Sequence, residues 1–82
     1  MRVQVAFYGG LKQDVGAKRQ MVELPGDAPT VGALLVALAA RYPALAERLA
    51  TVACAVGDTL VGPDHPLRDG DEAALLPPVS GG

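Results

Sequence analysis

The group in this chain best placed for chemistry is a carboxylate that follows two glycines. The sequence closes on Leu76-Pro77-Pro78-Val79-Ser80-Gly81-Gly82, in which two prolines restrict the backbone ahead of two residues without side chains. A rigid exit with a bare tip suits a narrow slot in another protein. A carboxylate is a poor electrophile until it is activated, for example as an acyl adenylate, after which a sulfur or amine nucleophile can attack its carbonyl. Side chains beside that carbonyl would crowd both steps, and Gly81 and Gly82 have none. The competing reading is an inert, frayed end, since termini are often poorly ordered.

The other reactive side chains point to less. Cys54 falls mid-strand on the face shared by Val52 and Val56, the ordinary setting of a small core residue. His65 stands beside Asp64 in a proline-rich turn with no second His or Cys to share a metal. Asp69, Asp71 and Glu72 read as a solvated turn or as an ion-pairing surface for a basic partner, rather than as catalytic carboxylates. Gly9, Gly10 and Gly16 match no phosphate loop: Lys12 is not followed by Ser or Thr, and no helix is expected directly after Gly10. No cofactor is therefore expected on this chain, and any ATP would be bound by a partner.

Eighty-two residues, half of them apolar, define one small domain with a core of Val, Leu and Ala. One cysteine excludes an internal disulfide. The apolar run from Val31 to Ala40 is too short to cross a bilayer, so no membrane contact is expected and the cytoplasm is the expected location. Charge is unevenly distributed. Residues 51–82 carry Arg68 against Asp58, Asp64, Asp69, Asp71 and Glu72, a side-chain net of −4. Such a field predicts a tail steered toward a basic protein surface and away from nucleic acid.

Several elements must position the tail. Residues 2–8 alternate, with Val3, Val5 and Phe7 on one face, and read as a strand; residues 18–24 read as its antiparallel partner across a polar connection, Leu11 to Gly16. Thr30 is the expected N-cap of a helix that presents Val31, Leu34, Leu35 and Leu38 to a sheet and ends at Tyr42, before Pro43. Residues 44–50 add a short helical piece. Strands are expected over 51–56, 59–61 and 72–76, the last with either Ala73 and Leu75 or Ala74 and Leu76 inward. This order predicts one mixed sheet of four to five strands with one main helix across it, the first and last strands parallel at its centre. A leucine forced outward near the end of the last strand, Leu76, would form an apolar dock with Pro78 and Val79.

The block from Pro66 to Gly82, with Asp69-Gly70-Asp71-Glu72 followed by Pro77-Pro78-Val79-Ser80-Gly81-Gly82, closely resembles the C-terminus of the small subunits of molybdopterin synthase, ubiquitin-like sulfur carriers of the beta-grasp fold. The opening strand and the Leu11 to Gly16 loop extend the resemblance over essentially the whole chain, 1–82, as a single α+β domain with a flexible tail over 77–82. The resemblance implies that an E1-like adenylating enzyme uses ATP to activate Gly82 and that a sulfur donor protein converts it to a thiocarboxylate. The charged protein then docks on the large synthase subunit, within a heterotetramer, and gives sulfur to a pterin precursor of the molybdenum cofactor. Gly82 matches the sulfur-bearing position and Gly81 its slim neighbour; the implied contacts with partners are Leu76, Pro78, Val79, Ser80, Asp69, Asp71 and Glu72. Leu76 stands where relatives often carry an aromatic residue, and Lys12 where they often carry an arginine. Carriers for thiazole or tRNA thiolation, and protein modifiers, share the fold. A small protein-binding domain with an inert tail is the alternative of a different class.

Overall fold

The computed structural model describes residues 1–78. Of the tail expected over 77–82, Pro77 and Pro78 fall within them, while Val79, Ser80, Gly81 and Gly82 lie outside the described residues. The chain runs β1 (Arg2–Phe7), α1 (Gly10–Val15), β2 (Arg19–Glu23), α2 (Val31–Arg41), two 3₁₀ turns (Pro43–Leu45 and Arg48–Ala50), β3 (Ala53–Val56), β4 (Thr59–Val61) and β5 (Glu72–Leu76). The strands form one mixed sheet in the order β2-β1-β5-β3-β4. β1 and β5 are parallel at its centre, and the other pairs are antiparallel. This is the α+β beta-grasp arrangement, with helices packed across one face.

Alternation decides which side of each strand meets the helix. Val3, Val5 and Phe7 of β1, Val22 of β2, Cys54 of β3 and Ala73 and Leu75 of β5 are buried in one cluster with Val31, Leu34 and Leu38 of α2. Thr30 caps α2, its Oγ1 accepting from the Ala33 N–H at 3.2 Å. At the other end the Tyr42 N–H donates to the Leu38 carbonyl, and Pro43, which has no N–H, opens a 3₁₀ turn instead of a further α turn. Leu45 and Leu49 from these turns complete the core. Leu35, expected against the sheet, lies at the edge of the cluster and is only partly buried.

Two local expectations are corrected. The stretch after Gly10 is a short helix, α1, and not a polar loop. It forms because Leu11 is fully buried, and because Gly16, at φ 83, ends it by donating its N–H to the Lys12 carbonyl. Propensity alone would not nucleate six residues; burial of the apolar side does. The third strand begins at Ala53 rather than Thr51, because Thr51 closes the preceding turn on the Arg48 carbonyl through both its N–H and its hydroxyl.

Candidate functional site

The tail leaves the body at the end of β5, where the parallel pairing sets Leu75 beside Phe7 and the antiparallel pairing sets Leu76 beside Ala53. These partners settle the register that the sequence pattern left open. Leu75 shares its row with the inward Phe7 and Cys54, so Leu75 and Ala73 face the helix, and Leu76 and Ala74 face away from it. Leu76 therefore lies half-buried on the open face at the root of the tail.

That open face has a composition of its own. One row across the sheet reads Arg19, Ala6, Ala74, Ala55 and Leu60. Three adjacent alanines make a flat floor, and larger apolar side chains surround it: Tyr8, Leu76, Leu60 at 67% exposure and Met21 at 53%. Contiguous exposed apolar area of this kind is what protein-docking surfaces present. The sequence pattern alone does not single out Tyr8, Met21, Leu60 or the alanine row. The available signal was a small residue at the outward position of three separate strands, which only the pairing assembles into one surface.

Two glycines fix the exit. Gly9 adopts φ 59 and ψ −138, and a methyl built on it would stand 2.9 Å from Pro77 Cγ. Only a residue without Cβ combines that backbone with that contact. A methyl on Gly10 would stand 2.8 Å from a terminal guanidinium nitrogen of Arg48. Arg48 in turn lies with Nε 2.6 Å from Asp14 Oδ2, an ion pair whose N–H is not aimed as a hydrogen bond at that shielded oxygen. The shelf under the tail is thus built from the β1–α1 junction and braced by the second 3₁₀ turn.

The acidic residues do not surround this exit. Asp69 Oδ1 accepts the Arg2 N–H at 2.7 Å, and Asp71 Oδ2 accepts the Arg68 N–H at 2.8 Å, so each uses one oxygen to hold the loop that feeds β5. Glu72 is exposed at the first residue of β5, about 13 Å from Leu76 at ~3.3 Å per strand residue. β5 therefore carries the chain away from the acids of the loop that precedes it. His65 lines a cleft of about 250 Å³ with Arg68 and Asp71, nearer the acidic end than the tail. Cys54 lies at the wall of an apolar cleft of about 370 Å³, with Val31, Leu35, Leu49 and Val61, and burial pushes its thiol above the ordinary 9.0, the opposite of activation. Among the described residues no three metal-binding side chains converge, and no helix is long and apolar enough to cross a membrane.

Comparison with known proteins agrees with this fold. Residues 5–82 match the ThiS family. The molybdopterin synthase sulfur carrier subunit of Escherichia coli is 43% identical, over 98% of this chain and 99% of that protein. Among solved structures, the small archaeal modifier protein SAMP1 of Haloferax volcanii superposes with a TM-score of 0.88 at 29% identity, covering both chains fully. The complex of subunits 1 and 2 of the molybdopterin-converting factor of Helicobacter pylori contains a chain 32% identical at a TM-score of 0.72, again with full coverage of both. The fold, the matched tail and these relatives together place the chain in the ThiS family of ubiquitin-like proteins, with a role as a sulfur carrier in sulfur transfer.

Proposed function

We propose that this chain is the sulfur-carrying small subunit of a molybdopterin synthase. In this reading an E1-like partner binds ATP, the Gly82 carboxylate attacks its α-phosphorus, and pyrophosphate leaves. Sulfide-level sulfur released from a donor protein then attacks the carbonyl, displaces AMP and leaves a thiocarboxylate at Gly82. The charged chain docks on a large synthase subunit through Leu76 and the open sheet face. Pro77, Pro78, Val79, Ser80 and Gly81 thread the tip into that subunit's active site, where the sulfur passes to a pterin precursor and water restores the carboxylate. Side chains that handle protons belong to the large subunit in this scheme, and this chain contributes the sulfur.

The observation that carries the reading is the 43% identity to the Escherichia coli carrier over nearly the full length of both proteins. The outward Leu76 at the tail's root gives the docking step a physical basis. The test supplies the thiocarboxylate form to the candidate large subunit with pterin precursor and follows dithiolene formation against loss of sulfur from the carrier. Stoichiometric transfer supports the proposal; a thiocarboxylate that persists in the presence of both contradicts it. The likeness to the archaeal modifier protein supports a second reading, conjugation to lysines of other proteins. Isopeptide-linked Gly82 on target proteins would favour that reading over sulfur transfer.

A further inference from the structure

The fold sorts the charges of this chain in a way that the order of its residues conceals. β1 and β5 both point toward the tail, so whatever lies at their C-terminal ends surrounds the exit. Lys18 accepts the Phe7 N–H through its carbonyl, Arg19 is paired with Ala6, and Lys12 sits in the helix that follows Gly9. Arg48 packs over Gly10, and Arg41 precedes Tyr42, whose ring meets that of Phe7 at 6.4 Å. All five cations are exposed, against Asp14 and Glu47 at the same end among the described residues, a side-chain net of +3. The opposite end gathers Glu23, Asp27, Asp58, Asp69, Asp71 and Glu72 against Arg2 and Arg68, a side-chain net of −4, with Asp64, in the loop after β4, counted at neither end. The molecule is strongly dipolar, with its tail at the positive pole.

We propose that Lys12, Lys18, Arg19, Arg41 and Arg48 form an electrostatic collar that docks on an acidic rim around the slot receiving the tail in the adenylating enzyme. A dipole of this sense turns the tail toward such a rim before contact, and steering of this kind raises association rates by roughly 10-fold to 1,000-fold. A protein is favoured over a nucleic acid because the collar continues directly into an apolar face: Arg19 flanks the alanine row, and Tyr8 and Leu76 lie beside it. A nucleic acid backbone asks for cations spaced along its path. Here they cap one end, where Arg48 is already paired with Asp14 and Arg41 lies over the Tyr42 ring. The proposal reverses the expectation of a basic receiving surface, and it takes only the identity of the receiver from the carrier reading.

The test uses the full chain and the adenylating enzyme of the same organism, with association rates measured over a range of salt concentrations. The triple variant Lys12→Glu, Lys18→Glu, Arg19→Glu is compared with a control at the far end, Asp27→Lys, Asp58→Lys, each first shown to melt as the parent does. The expected result at low salt is a loss of about 10-fold or more in the triple variant's association rate. Its salt dependence should invert, and at physiological salt, where screening acts over about 8 Å, the control should associate within about two-fold of the parent. A triple variant that associates as fast as the parent overturns the collar. So does binding of the parent to a mixed-sequence single-stranded oligonucleotide that the same triple variant abolishes, since the collar would then be a nucleic-acid site. If the enzyme associates with the parent but never loads sulfur on it, the carrier reading fails while the rates still decide the collar.

Discussion

On the helix-covered face of the sheet, Val3, Val5, Phe7, Ala73 and Leu75 are sealed from solvent; on the opposite face the same strands present Ala6, Ala55 and Ala74, with Tyr8, Met21 and Leu60 exposed around them. Large branched side chains fill the volume under α2, whereas methyl groups leave the other side flat. Each strand therefore serves two purposes at alternate residues. The inner set holds the domain together, and the outer set is the surface to which the proposed function assigns docking. Substitutions one residue apart should then fail in different ways.

The largest effect should come from Leu75→Ala. Removing a fully buried leucine side chain costs about 2–5 kcal/mol, against a total stability of about 5–15 kcal/mol for domains in general. Thermal or denaturant unfolding should show a large downward shift in midpoint, with any loss of partner binding tracking the unfolded fraction. Leu76→Asp, its neighbour, should leave the chain folded and weaken binding to the large subunit by about 10-fold or more, as truncating an interface anchor does. Calorimetric titration beside a melting curve separates the two outcomes; unchanged affinity for Leu76→Asp would dissolve the distinction between the faces. Leu60→Asp sharpens it further. At 67% exposure it should move stability by no more than about 0.5 kcal/mol, while still reducing affinity if the dock reaches β4.

Asp69→Ala tests whether the acidic loop acts on the fold or on the partner. Losing its hydrogen bond to the Arg2 N–H should lower stability by about 1 kcal/mol or less, because water can replace an exposed acceptor. Affinity for the large subunit should stay unchanged if its main part is to hold the start of β5. The smallest effect concerns Cys54. Burial raises its folded-state thiol value above the unfolded 9.0, so its contribution is complete below pH 9.0 and declines as pH rises past that value, where the unfolded chain ionises first. A Cys54→Val variant should match the parent at neutral pH and lose less stability in alkaline buffer, as pH-dependent melting would show.

The order of elements was legible because alternation, Thr30 and Pro43 act locally; β5 spans the same residues, Glu72–Leu76, as the sequence pattern predicts. Its register was not, since Ala and Leu alternate on both faces of Glu-Ala-Ala-Leu-Leu and only pairing with Phe7 and Cys54 decides between them. α1 was hidden behind Gly9-Gly10 and a polar Lys-Gln-Asp run; tertiary burial of Leu11 creates it. The resemblance located the tail and the Leu76 position, whereas the contact of Gly9 with Pro77 and the bracing of Gly10 by Arg48 join residues distant in sequence. The placement of charge is a matter of topology: a count of acids in the last third says nothing of distance, whereas the direction of β5 sets Asp69, Asp71 and Glu72 at the end away from Leu76.

Intact mass of the purified chain after incubation with the adenylating enzyme, ATP and a sulfide source tests the central claim most directly. The account predicts a gain equal to the difference between sulfur and oxygen, localised to Gly82 by fragmentation and absent when Gly82 is deleted. An unchanged mass under conditions that load a known carrier would contradict it and leave a beta-grasp binding domain with an inert tail.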